Sequence, residues 1–163
     1  MPSAGTSLRK AGSGDPWGVA LRLLTRRDYS TGELRQRLLD KGFPADAADA
    51  AVARGLVLGY LDDARLIARL SRALLAQGRA AGPRLTLELR RRGFPRELID
   101  GAVKAACAEN AEEQALRELI DRRFAIFDFS SADERERRRV VTFLQRRGFP
   151  LDRILNQLKR TDS

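Results

Sequence analysis

Arg65, Arg69 and Arg72 stand at i, i+4 and i+7, the spacing that brings side chains onto one face of an α-helix. Leu66, Ile67, Leu70 and Leu74 fall on the opposite face, and no acid interrupts the arginine row. Arg79 and Arg84 follow, and then Arg90, Arg91 and Arg92. A guanidinium grips a phosphate or a carboxylate through two parallel N–H donors, so a row of them reads as a track for an anionic polymer. Any one of these arginines also fits a merely solvated face. The row as a set carries the reading.

The distribution of charge sharpens it. The chain has a net charge of +9 and a pI near 10.8. Residues 16–58 hold seven basic and five acidic groups (+2), residues 59–108 ten and five (+5), and residues 109–163 twelve and eleven (+1). Excess positive charge raises the local concentration of nucleic acid or of acidic protein surfaces. An alternative stays open, because the excess of Arg over Lys and the abundance of Ala also follow from a GC-rich coding bias. Arg26, Arg27, Arg146 and Arg147 are adjacent pairs that could add contacts. The run Arg135, Arg137, Arg138 and Arg139 alternates with Glu134 and Glu136 and reads as a salt-bridged helix surface.

Catalytic chemistry has little to work with. The chain contains no histidine, which removes histidine bases, His-bearing metal sites and every triad with a His base. No glycine-rich phosphate loop is present. Asp62 and Asp63 are neighbours, so on a helix they diverge by about 100° and make a poor acid/base or metal pair; helix capping accounts for both. Cys107, the one cysteine, lies among alanines and reads as a small buried thiol, which excludes an internal disulfide. No enzyme, cofactor or metal is expected. No stretch approaches the roughly 20 apolar residues of a membrane span. Residues 1–15 read as a flexible tail without an apolar signal core, so a cytoplasmic monomer is expected.

The elements that hold the arginines repeat. LRQRLLDKGFP (34–44), LTLELRRRGFP (85–95) and VVTFLQRRGFP (140–150) place Gly42, Gly93 and Gly148 at spacings of 51 and 55 residues. Each glycine stands where a helix ends in the left-handed conformation. Phe43, Phe94 and Phe149 follow and fold back towards Leu38, Leu89 and Leu144, and the next proline suits the first turn of another helix. A further helix precedes each pair, the first after Asp15-Pro16 and the second from Asp62-Asp63 to about Gln77. The third is expected over about Ala111 to Phe124. Ser30…Glu33 and Ser131…Glu134 have capping-box spacing. Helix formers dominate, so the fold class is all-α. Three tandem three-helix modules are expected at 16–58, 59–108 and 109–163.

Two details bear on function. The Gly-turn pairs look like helix-turn-helix units, yet the second helices offer little beyond Arg96, Lys104, Arg153, Asn156 and Gln157, too few for base readout. In the first copy that helix carries only Ala47, Ala48, Ala51 and Val52 on its apolar face and is expected to be the most weakly held. The link Phe124-Ala125-Ile126-Phe127-Asp128-Phe129 is unusually apolar and is expected to pack against a neighbouring unit, with an exposed docking patch as the alternative.

Taken together these residues resemble the RecX family, bacterial modulators of the RecA recombinase. The resemblance rests on Arg26-Arg27-Asp28-Tyr29-Ser30 with Glu33-Leu34, on Gly59-Tyr60-Leu61-Asp62-Asp63-Ala64-Arg65, and on Gly82-Pro83-Arg84-Leu85 with Glu88-Leu89. Arg92-Gly93 and Arg146-Arg147-Gly148-Phe149 complete it, so it covers nearly everything after the tail. It implies an elongated, curved array lying along the groove of a RecA–DNA filament, inhibiting RecA's ATP hydrolysis, strand exchange and coprotease activity, and blocking filament extension. Recombination, DNA repair and the SOS response are the implied processes. Weak, non-specific contact with single- or double-stranded DNA goes with that reading; a general DNA-binding protein without RecA, and an adaptor docking through the 124–129 link, are the alternatives. One departure is local: where the family has a glycine pair, this chain reads Gly78-Arg79-Ala80-Ala81-Gly82-Pro83, so that turn is expected to differ.

Overall fold

The computed structural model describes residues 14–108 and 110–161, and among these nine helices and no strand are found. They are α1 (Pro16–Leu24), α2 (Thr31–Asp40), α3 (Ala45–Val57), α4 (Asp63–Ala76) and α5 (Gly82–Arg91). The remaining four are α6 (Arg96–Ala106), α7 (Ala111–Arg123), α8 (Glu134–Arg146) and α9 (Leu151–Thr161). Of the expected tail, all but Gly14 and Asp15 lies outside the described residues.

Local chemistry explains where the helices start. Asp15 accepts the amides of Trp17 and Gly18 at 3.1 and 2.9 Å, and Pro16 takes the first helical position, where its missing N–H costs nothing. The Ser30 hydroxyl accepts the Glu33 amide at 3.0 Å, but the Glu33 carboxylate turns to Arg27 instead of completing a capping box. The box before α8 lies two residues beyond its expected place. Asp133 and Glu136 exchange bonds at 2.7 and 3.3 Å. Ser131 is drawn away, because Asp128 accepts the hydroxyls of Ser130 and Ser131 at 2.6 and 2.8 Å and closes a tight turn ahead of the helix. Those two hydroxyls hold the Asp128 carboxyl well below the usual carboxylate range.

The three Gly-Phe-Pro turns share one geometry. Gly42, Gly93 and Gly148 have φ of +89°, +72° and +97°. The amides of Phe43, Phe94 and Phe149 donate to the carbonyls of Leu38, Leu89 and Leu144 at 3.2, 3.4 and 3.4 Å, and each phenylalanine is buried. That is the six-to-one bond of a Schellman ending. Pro44 and Pro95 are the N-caps of α3 and α6, one residue earlier than the first turn in which they are expected.

The chain divides into two compact units, Met1–Leu66 and Ile67–Ser163, with the boundary inside α4. In the first, α1, α2 and α3 pack on one another around Val19, Ala20, Leu34, Leu38, Phe43 and Leu61. α3 contributes small buried residues, Ala48, Ala51 and Gly55; a Cβ on Gly55 would come within 2.8 Å of Leu61. Asp62 caps α4 through the Arg65 amide at 2.9 Å. Asp63 does not cap its own helix. Its buried carboxylate accepts the Thr31 amide at 2.9 Å and the Thr31 hydroxyl at 2.6 Å, placing negative charge at the start of α2. Asp63→Ala is therefore expected to destabilise the protein by about 1–3 kcal/mol, the range for stranding buried hydrogen-bond partners. Urea unfolding measures this, and a change within error would show that water replaces the carboxylate without loss.

In the second unit α5 packs on α6, and α9 packs on both α7 and α8. Leu85, Leu89, Ile99, Leu116, Leu144, Ile154 and Leu158 are its largest sealed side chains. The departure at Gly78–Pro83 has a local form: Ala80 and Ala81 are fully buried between two glycines of positive φ, Gly78 at +63° and Gly82 at +40°. The Ala81 amide donates to the Arg147 carbonyl at 2.8 Å, so the entrance to α5 is seated on the turn between α8 and α9.

Candidate functional site

α4 is amphipathic. Leu66, Ile67, Ser71, Leu74 and Leu75 are buried, Leu70 is half-buried, and Arg65, Arg69 and Arg72 are exposed. At about 1.5 Å rise per residue the row from Arg65 to Arg72 is roughly 10 Å long. Arg79 is exposed in the turn after α4.

Two of the arginines expected to extend the row have an acidic partner. On α5, Glu88 lies 2.7 Å from Arg84 and 3.7 Å from Arg91, so one carboxylate partly answers two cations. Arg90 is exposed and Arg92 half-buried. Arg27 is similarly committed: it grips both oxygens of Glu33, at 3.0 and 2.6 Å, and lies 3.8 Å from the Tyr29 ring centroid. That hydrogen-bonded pairing raises its pKa further. Its neighbour Arg26 is exposed. Arg146 is exposed on α8, while Arg147 is half-buried with its guanidinium 5.0 Å from the Phe143 ring.

Two features escape the sequence reading. The 124–129 link makes ring contacts within itself and with α8: Phe124 meets Phe127 and Phe143 of α8 edge-on, at 6.5 and 5.4 Å between centroids, and Phe127 meets Phe129. Of the link's large apolar side chains, Ile126 projects fully into solvent. The second is an apolar patch at the end of α3, where Leu56, Val57, Leu58 and Tyr60 are all exposed, Val57 by 85%. The sequence shows only an apolar stretch at 55–61; that α3 runs on to Val57 and leaves these side chains outside cannot be read from it.

Burial pushes the Cys107 thiol above its ordinary range, which disfavours the thiolate a nucleophile needs. Among the described residues no group of three or more His, Cys, Asp or Glu could hold a metal, and no helix is long and apolar enough to cross a membrane.

Helix–glycine-turn–helix units repeated along the chain define an all-α helical-repeat protein. The comparisons specify which. The family model of the first three-helix domain of RecX matches residues 17–54, and that of the third matches residues 111–156. The regulatory protein RecX of Trichlorobacter lovleyi is 48% identical over 140 residues, covering 86% of this chain and 91% of its own. That of Syntrophotalea carbinolica is 43% identical over 135 residues, covering 83% and 88%. The crystal structure of RecX from Lactobacillus salivarius superposes with a TM-score of 0.71 at 14% identity, covering 90% of this chain and 94% of that one. A second crystal structure, of a regulatory protein RecX, gives a TM-score of 0.68 at 16% identity over 89% and 70%. The chain belongs to the RecX family of regulatory proteins.

Proposed function

We propose that this protein binds the RecA–DNA filament, lies along its groove, and inhibits RecA's ATP hydrolysis, strand exchange and coprotease activity without catalysing a reaction itself. The observation that carries the reading is family membership at 48% identity over most of the chain. Three modules, at 16–58, 59–108 and 109–163, would repeat along a polymer that is itself repetitive. The α4 arginines Arg65, Arg69 and Arg72 would face phosphate or acidic side chains, with Arg79 and the α5 arginines Arg84, Arg90, Arg91 and Arg92 flanking them. Arg26, Arg27, Arg146 and Arg147 are secondary contacts in this reading, Arg27 the least available because Glu33 holds it. A monomer in the cytoplasm, where RecA acts, is part of the proposal.

A second reading, plain DNA binding, draws on the same cations. The exposed apolar patch at Leu56–Tyr60 favours the filament, because an uncharged surface gains from a protein and gains little from phosphates.

The test is RecA's DNA-dependent ATP hydrolysis during titration with this protein, beside an unrelated protein of equal charge. Inhibition well below one molecule per RecA protomer, absent with the control, is the expected result. Equal effects of the two proteins would leave plain nucleic-acid binding as the better account.

A further inference from the structure

The side of α8 facing the 124–129 link borders a cleft of about 450 Å³ that the readings above leave unused. Phe124 and Phe143 supply its apolar wall, and Arg123, Arg135, Arg139 and Arg146 stand round it. Arg138 also reaches the cleft but is held by Glu134 at 2.8 Å. No carboxylate lines this cleft, although α8 opens with two glutamates. The reason lies at the helix start, where Glu136 turns back to cap Asp133 and Glu134 turns to Arg138. What the alternation of charge presents as a neutralised surface is on this side an arginine cleft with an aromatic wall.

A smaller cleft of about 270 Å³ adjoins it, sharing Arg123, Phe124 and Arg139 and adding Phe127 and Glu136. The Arg123 guanidinium lies 5.2 Å from the Phe143 centroid, so a flat cation already covers an aromatic face. Flat aromatic and guanidinium surfaces stack on an unpaired base, and the flanking arginines suit the phosphate beside it. The larger volume is within the roughly 300–1,000 Å³ of ordinary ligand clefts.

We propose that the two clefts beside Phe124 take consecutive nucleotides of a single-stranded polynucleotide. A base lies in the larger cleft against Phe124 and on the Arg123 guanidinium that Phe143 supports, with its phosphate on Arg135, Arg139 and Arg146. The neighbouring base enters the smaller cleft, where Glu136 can accept from an exocyclic amine but repels phosphate. Two clefts with a common wall fit a polymer better than one free mononucleotide. A duplex keeps its bases stacked inside and can use only the arginines. This site concerns free nucleic acid and lies outside the α4 row, sharing only Arg146 with the secondary contacts of the filament reading.

The experiment is fluorescence anisotropy on the full chain, with a labelled oligothymidylate and a duplex of equal length, at several salt concentrations. Arg139→Glu with Arg146→Glu is expected to weaken oligothymidylate binding by about tenfold or more, as two charge-assisted contacts become repulsions. Phe143→Leu is expected to weaken it about fivefold or more while leaving the duplex unchanged, because stacking is what it removes. Arg135→Gln, an exposed exchange that cannot disturb the core, is expected to reduce binding by a smaller factor and keeps the test open should Phe143→Leu misfold. Equal losses on single strand and duplex would overturn the stacking cleft, as would arginine variants of undiminished affinity or thymidine monophosphate competing as well as the oligomer. Arg69→Glu with Arg72→Glu separates this from the filament reading: it is expected to relieve inhibition of RecA and to spare most oligothymidylate binding.

Discussion

Gly148→Ala is expected to destabilise the protein by about 2–4 kcal/mol, well beyond the roughly 1 kcal/mol expected of Gly93→Ala. Both glycines end a helix with positive φ, +97° and +72°, so both substitutions strain the backbone. Gly148 has a second constraint. A Cβ built on it would lie 2.1 Å from the Ala81 carbonyl oxygen and 2.8 Å from the Arg84 Cβ. The first of these is backbone, in a segment sealed at Ala80 and Ala81 and tied by the Ala81 amide to Arg147 at 2.8 Å. Relief requires the entrance of α5 to move off the α8–α9 turn, which breaks that bond and opens the packing behind it. Thermal melts of the two variants side by side measure the difference. Equal losses would show that left-handed strain alone matters and that the close approach relaxes freely.

Much of this fold could be read along the chain, because its determinants are local. A glycine that must adopt positive φ, a phenylalanine bonded back to the residue five positions earlier, and an aspartate before a proline act within one or two helical turns. Helix existence and the all-α class follow from them. What could not be read depends on residues distant in sequence. Asp63 looks like a second cap beside Asp62, and only the folded unit reveals Thr31 as its partner, 32 positions away. Arg27 and Glu33 meet across a bend whose geometry no periodicity encodes.

The candidate surface divides in the same way. The α4 row is legible because i, i+4, i+7 spacing fixes a common face in any helix. Its supposed extension through Arg84 and Arg91 is not a plain continuation, since Glu88 sits between them. The run Arg135–Arg139 is salt-bridged only in part, through Glu134 and Arg138. Alternating charge suggests mutual neutralisation, yet the folded helix start spends Glu136 on capping and leaves Arg135, Arg139 and Arg146 round a cleft that no carboxylate lines. Composition counts charges, and the fold decides which of them are answered.

Reversal of the α4 row should have the largest effect on activity. With Arg65, Arg69 and Arg72 all changed to Glu, the concentration needed to inhibit RecA's ATP hydrolysis is expected to rise by about tenfold or more, about 1.4 kcal/mol. Adding Arg84→Glu is expected to contribute less than Arg65→Glu, because Glu88 already offsets Arg84, and its loss places two carboxylates together on α5. The helix should survive, since the changed positions are exposed and the apolar face Leu66, Ile67 and Leu74 is untouched. Salt then distinguishes the partners. Contact with phosphates alone gives an affinity that falls steeply with ionic strength, and each lost contact removes roughly 0.9 from the slope on duplex DNA. A filament held also through the apolar patch at Leu56–Tyr60 should retain a salt-resistant part in both wild type and variant. Undiminished inhibition by the triple variant would place the functional surface elsewhere on the molecule. Loss of all binding at high salt in the wild type would instead remove the protein partner from the account and leave the arginines facing DNA.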